Sequence, residues 1–259
     1  KIDKWLFKNI TFDIKSGDIV TILGPNGRGK TTFLKCLVGI NNPKLGNIDL
    51  EGKIGFVPQL STPPYGFSVL DIVLMGTSKH KSVFETINNE NIKSANYWLG
   101  RVGMQHLENS DFSDLSGGQR QMVLIARALC YGKDILILDE PFSGFDPVNA
   151  NLIKDEIIEL NKKGTSVIFS THRMESVEEM CDYIALIHKS NKLIEGKLDD
   201  VKRQHRTNIY QVGIITNNIE GLMLQLTHKF TLNQTNFKSL NDDLKLEVHL
   251  GQYNSNELL

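Results

Sequence analysis

The sequence predicts an α/β fold: a parallel sheet covered by helices, with an inserted helical subdomain and a small C-terminal α+β appendage. Short apolar runs that suit buried strands alternate with segments of helical apolar spacing over residues 1–196. The strand signal is lost between about residues 68 and 114, and the texture becomes charged after about residue 196. We therefore expect one domain at 1–196, with its helical subdomain at about 68–114, and an appendage at 197–259.

The predicted elements follow from local apolar patterns. Apolar runs bounded by glycine or polar residues predict strands at 19–23, 53–57, 135–138 and 165–170. Helical spacing predicts helices at 31–39, 119–129, 148–161 and 175–180. Ile10, Phe12 and Ile14 alternate with polar residues in a strand-like manner. In the appendage, alternating segments at 209–216 and 244–250 flank an apolar stretch at 222–226.

Composition excludes several classes of protein. Of 259 residues, 40% are hydrophobic and 23% are charged, which suits a folded core rather than disorder. The net charge of −1 and the lack of a basic stripe give no sign of a nucleic-acid partner. Cys36, Cys130 and Cys181 are far apart and have no metal-ligand spacing, so we expect reduced thiols. No apolar run approaches the roughly 18 residues that a membrane span needs.

A glycine-rich loop separates the first long predicted strand from a predicted helix. It reads Gly24-Pro25-Asn26-Gly27-Arg28-Gly29-Lys30-Thr31 and is followed by Thr32. A glycine, four residues and then Gly-Lys-Thr form a loop whose backbone N–H groups cradle phosphates. In this pattern the lysine reaches the β- and γ-phosphates and the threonine hydroxyl ligates Mg²⁺. The loop therefore predicts a P-loop NTPase core. The alternative, a glycine-rich turn that binds nothing, is disfavoured by the flanking strand and helix.

Two carboxylates end the predicted strand at 135–138. Because side chains alternate along a strand, Asp139 and Glu140 should point in different directions. We expect Asp139 to face Mg²⁺ and Glu140 to face the attacking water as a general base. Two solvent-exposed strand-end acids are the alternative, which the phosphate loop makes weaker.

A pentapeptide between the loop and these acids carries the strongest resemblance to a known family. Leu115 precedes Ser116, Gly117, Gly118 and Gln119 at the start of a predicted helix, where a serine and flexible glycines can form a second anion site. In its order relative to the other motifs, this segment resembles the signature motif of the ABC ATPases. The resemblance, which covers about residues 1–196, implies that the motif closes over the γ-phosphate of ATP bound to another subunit.

Three smaller motifs lie where this family has them. Gln59 ends a strand and resembles the glutamine that touches Mg²⁺ and the water. Asp146 belongs to a loop, residues 143–146, that resembles the family's crossing of the dimer interface, with Phe145 in place of the usual leucine. His172 resembles the histidine that contacts the γ-phosphate. Each motif alone is more often structural, and their order and spacing favour the functional interpretation.

The family's adenine-stacking aromatic residue has no clear counterpart. Its usual position falls at or just before Lys1, and Trp5, the nearest candidate, is expected to pack locally. Because the chain begins with lysine rather than methionine, we expect the natural protein to begin earlier.

The resemblance implies an ATPase that acts with partners. ATP and Mg²⁺ are the implied cofactors, and a second copy of the chain completes each site in a two-fold symmetric dimer. Transmembrane permease subunits would form the pore, so the chain would lie peripherally on the cytoplasmic face of the membrane. An importer could also use a substrate-binding protein.

The direction of transport is open. Residues 54–59 and 68–76 resemble ATPases that import metal ions, metal chelates, cobalamin or oxyanions. Residues 142–149 and 170–177, with the appendage, are more similar to ATPases of sodium or drug exporters. We favour import because the permease contacts the helical region. A natural mosaic or a fusion stays open, as does a soluble non-transport ABC ATPase, although the paired cassettes or coiled-coil insertion typical of that class are not seen.

Overall fold

The computed structural model describes residues 5–11, 13–59, 65–77, 87–143, 147–205, 209–214, 219–234 and 244–249. The chain divides into two compact units, Lys1–Val201 and Lys202–Leu259. The first unit contains the large sheet and its helices. The second unit contains a small sheet and a helix.

The first unit is built on a six-stranded sheet within the described residues. Its strands are β1 (Ile19–Leu23), β2 (Ile54–Val57), β3 (Ile135–Asp139), β4 (Ser166–Thr171), β5 (Tyr183–His188) and β6 (Asn191–Lys197). Their order across the sheet is β2-β3-β4-β1-β5-β6. The first five strands in this order, β2-β3-β4-β1-β5, pair in parallel, which confirms the predicted sheet type. Strand β6 pairs antiparallel with β5 at the edge of the sheet.

Helices separate most of these strands and follow the last one. They are α1 (Lys30–Leu37), α2 (Val69–Leu74), α3 (Asn89–Arg101), α4 (Gly117–Tyr131), α5 (Pro147–Lys162), α6 (Met174–Met180) and α7 (Leu198–His205), with 3₁₀ turns at Gln105–Leu107 and Phe112–Asp114. Ser68, Asn88 and Ser116 cap α2, α3 and α4 through reciprocal capping boxes. Within the part of the chain that is described, no helix is long and apolar enough to cross a membrane.

The core lies on both faces of the sheet. Every residue of β1 and of β3 is buried, as expected for central strands of a parallel sheet. On one face, Phe33 and Leu34 of α1 pack with the strands. On the other face, residues of α4 and α5 such as Ile125 and Ile157 join the strands and the helical region in one apolar cluster.

Two strands and one early segment differ from the sequence predictions. No strand was predicted at β5 or β6, although residues 184–187 form an apolar run. Strand β6 has only half-buried and exposed positions, so it carries no buried apolar run to mark it. Residues 10, 11, 13 and 14 lie in no strand, and Ile10 and Ile14 instead pack against the α1 face of the core. Phe12 lies outside the described residues.

The second unit has the α+β character that was predicted. It contains β7 (Ile209–Ile214), α8 (Ile219–Lys229), β8 (Thr231–Gln234) and β9 (Leu244–His249). The strands form an antiparallel sheet in the order β7-β9-β8. Strand β8 was not predicted, because its four residues, Thr-Leu-Asn-Gln, lack an alternating apolar pattern.

Candidate nucleotide site

Four of the predicted site residues, Lys30, Asp139, Glu140 and His172, gather at the carboxyl ends of neighbouring strands. Strand β1 leads into the glycine-rich loop, β3 ends at Asp139, and β4 leads to His172. These three strands are adjacent in the order β3-β4-β1. In open parallel sheets, this edge is where ligands bind.

The loop after β1 depends on glycine at two positions. A Cβ atom at Gly24 would lie 2.5 Å from the backbone oxygen of Ile187 in β5, a contact that no side chain tolerates. Gly29 has φ of 93° and immediately precedes the first helical residue of α1. A residue with a side chain is strained in that left-handed conformation. The loop therefore turns sharply from a buried strand into a helix N-terminus.

Lys30 is buried beneath this loop. Its Nζ donates to the backbone oxygen of Gly24 at 2.8 Å, and it lies 3.0 Å from Oε1 of Glu140. Pro25 O and Asn26 Oδ1 are farther from Nζ, at 3.4 and 3.5 Å. The contact with Glu140 is an ion pair that lacks the alignment of a hydrogen bond. Lys30 thus joins the loop to the end of β3.

Asp139 is fully buried and held from the neighbouring strand. Ser170 Oγ donates to Asp139 Oδ1 at 2.6 Å, and the two residues are partners in the parallel register of β3 and β4. The other oxygen, Oδ2, is buried and accepts no hydrogen bond from any residue that the structure describes. A buried carboxylate oxygen without a partner is costly unless a cation or donor meets it.

Glu140 adopts an unusual backbone conformation. Its φ is 49°, which costs a non-glycine residue roughly 1–2 kcal/mol. Its N–H donates to Ser170 Oγ at 3.0 Å and its C=O accepts from Ser143 N at 3.0 Å. Its Oε2 lies 3.0 Å from His172 Nδ1. Since an ionised carboxylate only accepts, His172 donates from Nδ1 in this contact. The two carboxylates have different partners: Asp139 contacts Ser170, and Glu140, which lies just beyond β3, contacts Lys30 and His172.

Among the residues predicted to hold Mg²⁺, Asp139 has the surroundings that suit a hard-cation ligand. Asp139 Oδ2 is a buried acceptor without a protein partner among the described residues, and carboxylate oxygens are preferred Mg²⁺ ligands. Thr31 is half-buried in the first turn of α1, and Gln59 is exposed just after β2. Thr32 is half-buried beside Thr31.

The predicted second anion site begins α4. Ser116 Oγ accepts from Gln119 N at 3.3 Å, and Ser116 N donates to Gln119 Oε1 at 2.9 Å. Ser116 and Gly117 are exposed, while Gly118 and Gln119 are half-buried. No hydrogen bond or ion pair among the described residues links Ser116 or Gln59 to the cluster around Glu140. The capping box therefore presents the helix N-terminus to the surface.

Two further predictions concern Asp146 and Trp5. Asp146, with Phe145, lies outside the described residues. Trp5 is 43% exposed, and Lys44 Nζ lies 5.4 Å from the centre of its ring. Trp5 therefore has a cationic neighbour, and its local packing stays a prediction.

No role for Ser170 was predicted from the sequence. Its contacts with Asp139 and Glu140 cross between strands that lie 30 residues or more apart in the chain. The available signal was a serine that follows three apolar residues in β4, where a buried hydroxyl needs polar partners.

The chain resembles known transporter ATPases in sequence. Residues 7–143 match the family described as ABC transporter. The molybdate import ATP-binding protein of Haemophilus influenzae is 39% identical over 190 residues, which cover 73% of this chain and 75% of that protein.

Two solved structures share the fold. A metal-chelate type ABC transporter in an inward-facing conformation is 35% identical, with a TM-score of 0.71 over 82% of this chain and 86% of that chain. A bacterial ABC transporter cassette solved as a dimer is 28% identical, with a TM-score of 0.64 over 74% and 90%.

The chain belongs to the ABC transporter family, and it is one of that family's ATP-binding, ATP-hydrolysing subunits. The α/β fold and the family resemblance are both confirmed.

Proposed function

We propose that this ATPase powers import of a metal ion, metal chelate or oxyanion through a separate permease. The observation that carries the catalytic part is the cluster of Lys30, Asp139, Glu140 and His172 beside the phosphate loop. The direction and the substrate class rest on similarity to the molybdate import protein and the metal-chelate transporter.

The residues of the cluster have separate roles in this proposal. The loop from Gly24 to Thr32 holds the phosphates with its backbone N–H groups, and Lys30 supplies a cation. Glu140 accepts the proton of the attacking water, and His172 holds the Glu140 carboxylate through Nδ1 and contacts the γ-phosphate. Thr31, Gln59 and Asp139 would hold Mg²⁺, which neutralises charge on the phosphates when bound.

We propose that two copies of the chain share each ATP. The exposed N-terminus of α4, with Ser116, Gly117, Gly118 and Gln119, would contact the γ-phosphate held by the partner's loop. Asp146 would lie in the loop that crosses between the copies. The solved dimer of a related cassette supports this arrangement.

A groove in the first unit supports a permease partner. It has a volume of about 290 Å³ and lies between the ends of α1 and α2, strand β2 and helix α4. Ile40 and Met75 line it and are 60% and 45% exposed. Part of the groove lining belongs to segments 54–59 and 68–76, whose sequence resembles importers. A permease bound here would place the chain on the cytoplasmic face of the membrane, and a substrate-binding protein would deliver the cargo.

Reconstitution tests the proposal. The chain is purified from its source membranes with the integral membrane protein that it binds, and the complex is placed in vesicles. Molybdate, Mn²⁺ and a ferric chelate are each supplied with ATP, and tracer uptake and phosphate release are measured. ATP-driven accumulation of one of them in the direction of import is expected.

A matched pair of variants tests the groove. Ile40→Asp should reduce recovery of the membrane protein, whereas Leu45→Asp, at a site 81% exposed and not lining the groove, should not. ATP-driven extrusion of the cargo would instead support the exporter alternative, and ATPase activity with no membrane partner would support a non-transport ATPase.

A further inference from the structure

We propose that Ser170 is a positioning residue that sets both carboxylates at the end of β3. The proposal rests on the proposed roles of Asp139 and Glu140. One hydroxyl makes two directed contacts: it donates to Asp139 Oδ1 at 2.6 Å and accepts from Glu140 N at 3.0 Å. A serine hydroxyl has one donor and two acceptor positions, so these contacts use both of its capacities.

Burial and strand pairing hold the Ser170 hydroxyl in one position. Ser170 has no exposed surface, and Asp139 is 1% exposed. The two residues are register partners in the parallel pairing of β3 and β4. In such a buried place, water cannot replace a lost hydroxyl without rearrangement of the strands. The pairing of β3 with β4 therefore fixes the position of the Ser170 hydroxyl relative to the Asp139 carboxylate.

The contact with Ser170 gives the two carboxylate oxygens of Asp139 different surroundings. Oδ1 receives a short, charge-assisted hydrogen bond, which fixes the plane of the carboxylate. Oδ2 is buried and has no hydrogen-bond partner among the described residues. Ser170 thus holds one oxygen and leaves the other as the ligand that Asp139 would offer to Mg²⁺.

The contact with Glu140 acts on the backbone. Glu140 has a φ of 49°, and its N–H and C=O are both held, by Ser170 Oγ and by Ser143 N. From this conformation its carboxylate reaches Lys30 Nζ and His172 Nδ1, each at 3.0 Å. If the N–H were released, the residue could relax toward an ordinary conformation and the carboxylate would turn away from both partners.

A serine that only stabilises the fold should affect the melting temperature without affecting ATP hydrolysis, whereas a positioning serine should affect ATP hydrolysis. Ser166 is a matched control, because it lies at the other end of the same strand, is 7% exposed, and accepts one backbone N–H from Gly17 at 2.9 Å. Ser166→Ala should lower the melting temperature and leave the kinetics of ATP hydrolysis unchanged.

The experiment compares Ser170→Ala with Ser166→Ala and the wild type. It measures kcat, KM for ATP, the Mg²⁺ concentration for half-maximal rate, and Tm. For Ser170→Ala we expect kcat to fall about 10–100-fold and the required Mg²⁺ concentration to rise several-fold, as when a residue that orients a metal ligand is lost. ATP affinity measured in EDTA should stay within about two-fold of the wild type, because the loop that holds the phosphates is intact.

Several outcomes would overturn the proposal. The proposal is wrong if Ser170→Ala has the same kcat and the same Mg²⁺ dependence as Ser166→Ala. A Ser170→Thr variant that keeps the hydroxyl and melts like the wild type, yet is as slow as Ser170→Ala, would also overturn it. A wild-type protein without Mg²⁺-dependent ATPase activity would instead contradict the proposed function.

Discussion

Lys30 Nζ and Glu140 Oε1 lie 3.0 Å apart, and their side chains are only 6% and 7% exposed. The proposed phosphate-binding cation therefore has the proposed general base as its counter-ion. Phosphate oxygens that reach this ammonium compete with Glu140 for it. Because the ion pair lacks hydrogen-bond alignment, a better-placed anion can displace it. In the proposed mechanism, binding of phosphate by Lys30 would therefore be linked to release of the Glu140 carboxylate toward water.

Glu140→Gln should separate ATP binding from ATP hydrolysis. Removal of the base should lower turnover by roughly 10²–10⁴-fold. ATP affinity should be at least that of the wild type, since Lys30 loses a competing anion. Phosphate release and calorimetry measure the two quantities, and gel filtration should show an ATP-bound dimer. Glu90→Gln, an exposed change on α3, is the charge-matched control. Near-normal turnover of Glu140→Gln would remove Glu140 from the role of base.

Lys30→Ala should weaken nucleotide binding and also destabilise the fold. The phosphates lose their cation, and the buried Glu140 carboxylate loses its counter-ion. Calorimetry should show reduced ATP affinity, and Tm should fall. Combining Lys30→Ala with Glu140→Gln should recover part of the lost Tm without recovering affinity. Lys35→Ala, on the same helix, should lower neither the ATP affinity nor Tm. Unchanged ATP affinity in Lys30→Ala would count against the phosphate-loop assignment.

Ser116→Arg should block closure of the dimer while leaving ATP binding by the single chain intact. A bulky cation would occupy the surface where a small hydroxyl must approach the γ-phosphate. Dimer formation with ATP is measured by light scattering in the Glu140→Gln background. Ser116→Ala is the control for the helix cap, since it loses about 1 kcal/mol of capping without added bulk. If the dimer forms equally well with Ser116→Arg, the shared site is wrong.

A mixture of two inactive variants tests the same shared site by activity. A heterodimer of Lys30→Ala and Ser116→Arg holds one composite site with both defects and one with neither. Part of the ATPase activity should return on mixing, provided that one intact site can turn over. Light scattering in the Glu140→Gln background decides the matter if activity does not return.

Arg101 should make the stability of the first unit depend on pH at the acid end. It joins α3 to α5 through contacts of 2.9 Å with Glu156 and 2.6 Å with Glu159. Hydrogen bonds from Arg101 and then Lys163 lower the pKa of Glu159 to about 2. A lowered pKa in the folded state stabilises the protein above the usual glutamate pKa of about 4.3, and this contribution is lost as the pH falls toward 2.

Glu159→Gln should therefore melt below the wild type at pH 7, and the difference should shrink as the pH falls toward 2. Thermal melts across that range measure it. Added salt should shrink the difference at pH 7, because Glu159 and its partners are partly exposed. A difference in Tm that stays constant from pH 7 to pH 2 would contradict the ion-pair account.

The sequence by itself determined the local parts of this protein. The glycine-rich loop, the acids that end β3 and the capping box of Ser116 and Gln119 each depend on a few adjacent residues. Apolar runs marked the buried strands β1, β3 and β4 for the same reason. Phosphate-loop chemistry and family resemblance could therefore be predicted without knowledge of strand order.

Only the tertiary structure decided how those parts meet. The pairing of Lys30 with Glu140, the hydroxyl of Ser170 between Asp139 and Glu140, and the contact of Arg101 with α5 all join residues far apart in the chain. Each depends on strand order and register, or on which helix faces lie together, and no local pattern encodes these. The edge strand β6 escaped prediction for a related reason: its place is set by pairing with β5, whereas its own residues bury little apolar surface.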